Sequence, residues 1–417
     1  MDLENSGKKI SYISRIVFQI PTIALSSITM IAISRSIGPS GRGELTQFLL
    51  LAIITSSVLS TPIFLTIMNL KNAIEIKSYL FTSLHIFNRK NLAALIFINL
   101  TYYFLAKSNN PMSDLLNIIL LDLLVIFYFV ATQIRDFLLR FHKNEVYGFD
   151  FILQTLISLT ILWLWLQQDL SAASVIQIFV FFYGLFAFTL IVFLRIKLQT
   201  FNFANFIFKS APLPEQPKHR EEKKSFSKLG ILFHLSLSKD LLIGTVMLSS
   251  VNFGLMSALA SFWVVVRFLR PSSVIQLKLS EDEPNAVTTT TKGILAFAAR
   301  SKSAIHVQAI IIGVTGMLGY LLTPILMGRG FKPSIGMTIS GIAAEILLMR
   351  CLYSLSTSPS RYRQNLFISL FLFQIIILGV LVFFGLNPSI SIIWFSSCLI
   401  YTTYEIVNFA RAKLEYE

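Results

Sequence analysis

The feature that most constrains this chain is a succession of about twelve apolar runs, each close to the ~20 residues a helix needs to cross a bilayer. They lie near 14–34, 48–70, 91–106, 115–134, 149–166 and 174–196, then near 229–250, 252–273, 304–326, 333–355, 365–386 and 388–410. In lipid an open chain satisfies its backbone only as helix, and the runs lack the alternation of barrel strands. The reading is therefore all-α: a polytopic membrane protein with about 12 transmembrane helices. Composition agrees, with 54% hydrophobic and 13% charged residues. About a quarter of a soluble domain is charged, so this chain cannot cover its surface with polar groups.

Lysine and arginine set the expected orientation. With the N-terminus inside, 29 of the 35 basic residues fall in inside segments and 5 in outside segments, and Lys239 is the remaining one. Both termini are then cytoplasmic. The same pattern accounts for the net charge of +14 without nucleic acid, since topology and anionic membrane lipids require nothing more. The first run follows Lys8, Lys9 and Arg15 and has no A-x-A-like site after it, so it reads as a retained helix.

The segment "KSAPLPEQPKHREEKKSFSK" at 209–228 carries three prolines and mixed charge and reads as linker. It gives a six-helix lobe at 1–196, a basic cytoplasmic linker at 197–228 and a second six-helix lobe at 229–417. A further cytoplasmic segment, 278–303, reads as a loop with a short amphipathic piece. Equal halves suggest an internal repeat, as in many transporters. The sequence support is a glycine before an apolar helix that ends near proline, from Gly43 to Pro62 and from Gly254 to Pro271.

Ionisable residues inside apolar runs are the candidate functional groups, because charge near the bilayer centre costs roughly 2.5–3.5 kcal/mol on insertion scales. Lys239 and Asp240 interrupt "LFHLSLSKDLLIGTVML". Neighbours on a helix point about 100° apart, so the two are not expected to pair well with each other. Asp240 shares a face with Ser236 and Gly244, which suits the lining of a wet cavity. The plainer alternative is that Lys239 snorkels to an interface while Asp240 caps a helix start. Glu345, in "SGIAAEILLMR", is a carboxylate of the kind a proton-coupled carrier uses, or one held by a neighbouring helix. Asp122 lies closer to a helix end, where an interfacial role is natural. Glu405 has Arg411 as its expected partner. Arg35 and Arg267 sit at helix ends, where a guanidinium can grip a phosphate with two hydrogen bonds or anchor topology; for Arg42 anchoring is the expectation.

"GPSGRG" at 38–43 lacks the Gly-Lys-Ser/Thr ending of a nucleotide loop and reads as a tight turn at the membrane surface. The histidines are scattered, Cys351 and Cys398 read as buried thiols without disulfide or metal spacing, and no cofactor is implied.

Three stretches carry a family resemblance. "SRSIGPSGRGELTQFLLLAIITSS" (34–57) presents Arg35, Ile37-Gly38-Pro39, Gly41 and Gly43 before the second helix. "QIRDFLLRFHKNEVYGFDFILQTLISLTILW" (133–163) and "KDLLIGTVMLSSVNFGLMSALASFWVVVRFLRP" (239–271) follow in the same order. In these the chain resembles the polysaccharide-biosynthesis flippases of the multidrug, oligosaccharidyl-lipid and polysaccharide exporter superfamily. The resemblance implies two lobes around a central cavity in the bacterial inner membrane, an undecaprenyl-diphosphate-linked oligosaccharide as substrate, glycan-assembly proteins as partners and no enzymatic activity. It implies Lys239, Asp240, Arg35 and Arg267 as substrate-binding groups, and Glu345, Asp240 and Asp122 as ion-coupling groups. The chain departs from the family in having only about eleven residues, 229–239, ahead of Asp240, and a longer, more basic linker. A drug or metabolite exporter of the same superfamily would share this topology. A membrane polymerase or ligase of glycan assembly would present a large outside loop, and the longest one here is about 35–47.

Overall fold

The computed structural model describes residues 2–69, 95–96, 99–100, 102, 111–141, 143–198, 239–268, 291–357, 361–386 and 388–414. Among them there is no strand, and seven helices are long and apolar enough to cross a membrane. The helices are α1 (Asp2–Asn69), α2 (Pro111–Phe141), α3 (Lys143–Leu166), α4 (Ala172–Leu198), α5 (239–247), α6 (Ser250–Phe268), α7 (Thr291–Met327), α8 (Ile335–Thr357), α9 (Arg361–Phe383) and α10 (Ile390–Leu414). The runs 252–273 and 333–355 form α6 and α8. Most of run 91–106, all of 229–238 and nearly all of the linker 197–228 lie outside the described residues.

The chain divides into two compact units, Met1–Ser238 and Lys239–Glu417. In the first, α1 packs against α2 and α3, and α4 packs against α2. Ile33, Phe48, Leu121, Ile134, Ile157 and Leu190 are in its core. The outward surface carries many large apolar side chains: Phe181, Phe188 and Trp163 are exposed here, and Phe373, Ile376 and Phe383 in the second unit. Water does not tolerate such patches at this extent, and lipid does.

α1 is two helical limbs that meet at Gly38, where the chain reverses through a φ of 66° and ψ of −174°, which are not helical. Arg42 donates to the carbonyl of Met30 at 3.4 Å and to the hydroxyl of Ser34. On a straight helix residues 30 and 42 would be about 18 Å apart, beyond any side chain's reach. The limbs on either side of Gly38 therefore lie alongside each other. The surface turn expected over 38–43 shrinks to one residue. The expected anchoring role of Arg42 does not hold, because the side chain is 1% exposed and spends itself on the opposite limb.

In the second unit α5 and α6 form another hairpin. A Cβ on Gly244 would meet the Phe253 ring at 3.0 Å and the Met256 sulfur at 3.1 Å, so the chain turns back at 248–249. α7 packs on α6 and α8, and α10 packs on α8 and α9. The loops are short because local groups close the helix ends. Gly385, at φ 75°, lets Leu386 N–H reach the Leu381 carbonyl at 2.9 Å, and Ser389 caps α10 by accepting from Ile392 N–H at 3.3 Å. Part of the segment expected as a loop, 291–303, is instead helix continuous with α7. Its "GILAFAAR" holds three alanines, a leucine and an arginine, which favour helix.

Candidate functional site

α5, α9 and α10 each bring polar groups to one place in the second unit. Lys239 begins the described part of α5, Gln374 interrupts "LFLFQIIILG" in α9, and Ser396 and Ser397 interrupt "IIWFSSCLIY" in α10. With a helical rise of 1.5 Å per residue, Lys239 lies ~12 Å from the end of α5 at 247, Gln374 ~14 Å from the end of α9, and Ser397 ~11 Å from the start of α10. Half a hydrocarbon core is about 15 Å. The three helices thus carry their polar residues to one layer, ~11–14 Å in from the helix ends.

There the Lys239 ammonium donates to Asp240 Oδ1 at 2.7 Å, to Ser397 Oγ at 2.8 Å and to Gln374 Oε1 at 2.9 Å. The Tyr401 ring lies below it, 4.5 Å from Nζ to the centroid. Ser397 Oγ donates onward to Asp240 Oδ1 at 2.6 Å. Gln374 Nε2 donates to Ser396 Oγ and Ser397 Oγ, both at 2.8 Å, which fixes its carbonyl toward the lysine. Every N–H of the ammonium is used inside the protein, and Lys239 is 1% exposed. Asp240, at 17%, is the charged member of the set that reaches the surface of the unit.

One sequence expectation is corrected by this geometry, and one alternative is set aside. Adjacent Lys239 and Asp240 do pair, because the four-carbon stem spans the 100° between them and the other two helices hold its end. Lys239 does not snorkel: it points into the bundle. Gln374, Ser396, Ser397 and Tyr401 were not singled out from sequence, although a glutamine and paired serines inside apolar runs are the signal that marks them.

The other candidates are placed as follows. Glu345 is 5% exposed in α8, one turn after Gly341. A Cβ on Gly341 would meet Trp263 at 2.4 Å and Trp394 at 2.9 Å, and those two rings stand edge to face at 5.4 Å. Cys398 Sγ meets the Ser340 carbonyl at 3.8 Å and Arg350 meets Glu405 at 3.1 Å, so α8 and α10 run parallel, with Glu345 between the two contacts. Glu405 is therefore paired with Arg350, while Arg411 lies over the Tyr362 ring at 3.9 Å. In the first unit Asp122 Oδ2 accepts from Asn99 Nδ2 at 3.1 Å, and Asp122 Oδ1 has no hydrogen-bond partner among the described residues. Arg35 is exposed on α1, three residues before the reversal. Arg267 is next to last in α6, and its side chain lies outside the described residues. The structure brings together Lys239 and Asp240 in the second unit, and places Asp122 and Arg35 in the first.

Sequence reasoning also passed over Arg135 and Asp150. Arg135 Nε and Nη2 grip both carboxylate oxygens at 2.8–3.0 Å, tying α2 to α3. Both cysteines are free, Cys351 buried and Cys398 partly so. No group of three or more His, Cys, Asp or Glu suited to a metal occurs among the described residues.

The sequence matches no model of a known protein family and no characterised protein.

Proposed function

We propose that this chain is a flippase that moves an undecaprenyl-diphosphate-linked oligosaccharide across the bacterial inner membrane by alternating access. The observation that carries the reading is a hydrogen-bonded charge pair, Lys239–Asp240, held by three helices ~11–14 Å in from their ends, which in this reading is mid-membrane depth. Ionisable groups there are expensive, and they mark transport pathways far more often than they mark packing. The stretches 34–57, 133–163 and 239–271, in that order, supply the family resemblance.

In this reading about twelve helices form two six-helix lobes, 1–196 and 229–417, joined by the basic linker 197–228. They rock about a central cavity, with both termini cytoplasmic. The guanidinium groups of Arg35 and Arg267 meet the diphosphate. Asp240 presents its exposed edge to the sugars, and Lys239, whose three donors are taken, holds that carboxylate in place. Glu345 and Asp122 serve ion coupling. The prenyl tail stays in lipid, and no chemical bond is made or broken.

The test is complementation of bacterial strains that lack their own flippase, scored by surface polysaccharide. The parent chain is expected to restore it, and Asp240→Ala and Glu345→Ala at equal membrane levels to lose most of the restoration. A parent chain that restores no strain but confers drug resistance identifies an exporter of small molecules instead. Product formation by the purified protein without transport identifies a glycan polymerase or ligase.

A further inference from the structure

The surroundings of the Lys239 ammonium are those of a bound monovalent cation. Three neutral or anionic oxygens from three helices stand 2.7–2.9 Å from Nζ, and an aromatic face closes the shell at 4.5 Å. One carboxylate balances one positive charge. The oxygens replace a hydration shell, as carbonyls do in an ion filter, and the ring adds cation–π attraction. The cage has bonds that do not involve the lysine: Gln374 is fixed by Ser396 and Ser397, and the Ser397 hydroxyl donates its one hydrogen to Asp240, with the Ile393 carbonyl at 3.1 Å as the alternative acceptor.

We infer that this cage is a seat for a small monovalent cation, and that Lys239 fills it with a cation tethered to the chain. The parent protein accordingly takes no free ion at this place. Cutting the lysine back to alanine vacates the seat and leaves a site for ammonium, methylammonium or potassium. The oxygen spacing is wide for sodium, which ranks below them. This inference does not depend on what the protein transports.

The experiment uses full-length purified protein, with thermal unfolding followed in ammonium, methylammonium, potassium, sodium or N-methylglucamine chloride at one ionic strength. The parent is expected to unfold at the same temperature in all five. Lys239→Ala is expected to unfold at a lower temperature in N-methylglucamine and to recover at least half of the loss in ammonium or methylammonium, with saturation. Potassium should give less recovery and sodium least. Lys239→Ala combined with Asp240→Asn should show no cation-specific recovery. The inference fails if Lys239→Ala responds equally to all five salts, or if the double variant recovers as well as the single one. It fails also if Lys239→Ala cannot be obtained even when purified in ammonium throughout.

Discussion

Replacing Lys239 with methionine keeps the apolar stem and removes the ammonium, so it isolates the charge. Three hydrogen bonds are lost, to Asp240, Ser397 and Gln374. Each bond to a charged group is worth roughly 1.5–3 kcal/mol, but the ammonium also sheds its desolvation cost, and breaking a buried pair by removing one partner nets about 3–5 kcal/mol. Asp240 keeps the Ser397 bond and is partly exposed, which places the loss near the lower end, about 3 kcal/mol. Removing the carboxylate as well, in Lys239→Met with Asp240→Leu, eliminates the stranded charge. Only the Gln374 carbonyl is then left without a donor, at a cost of roughly 1–3 kcal/mol. The double variant is therefore expected to be more stable than the sum of its single variants by at least about 2 kcal/mol. Equilibrium unfolding in mixed micelles measures this, because Trp263 and Trp394 lie in the same unit and report its loss of packing. A Lys239→Met loss below about 1 kcal/mol, or single-variant losses that add to within ~0.5 kcal/mol, would refute the account of a strongly coupled buried pair.

Gly38→Ala introduces no clash, since nothing lies within 4 Å of the new methyl, but it forces a conformation essentially reserved for glycine; a loss of about 1–3 kcal/mol is expected in the same unfolding assay. Gly341→Ala is expected to cost about 1–3 kcal/mol or more, because its methyl would overlap two buried tryptophans. Gly336→Ala, with open space around it, serves as the control and should be neutral or slightly stabilising. Arg135→Lys loses the two-pronged grip on Asp150, yet that pair is about a third exposed, so a change of no more than about 1 kcal/mol is expected.

The helices were legible because lipid leaves a chain so few ways to satisfy its backbone, and long apolar runs announce the solution. What sequence could not supply was which side chains meet. Lys239 and Asp240 were picked out by their cost in an apolar run, but their partners are 135 to 158 residues away and depend on how α5, α9 and α10 align. The argument from angular spacing failed there because it treats side chains as rigid spokes, whereas a lysine stem bends toward whichever oxygens surround it. Arg42 was misjudged for a similar reason. Read as a helix-end cation it belongs at an interface, but a reversal confined to Gly38 presents it to a second limb rich in hydroxyl groups. Glu405 paired with a residue on a parallel helix instead of one six positions along its own.

The reversal at Gly38 bears on how the chain enters the membrane during synthesis. An arginine alone in hydrocarbon costs roughly 2.5–3.5 kcal/mol at a helix centre on insertion scales, and less for Arg42, which is ~6 Å from the reversal. The oxygens that relieve Arg42 belong to the limb made just before it. The second limb thus gains its relief only when the first is still beside it, which favours their leaving the insertion machinery as a pair, and the emerging protein acquires its first tertiary contact before its third span is made.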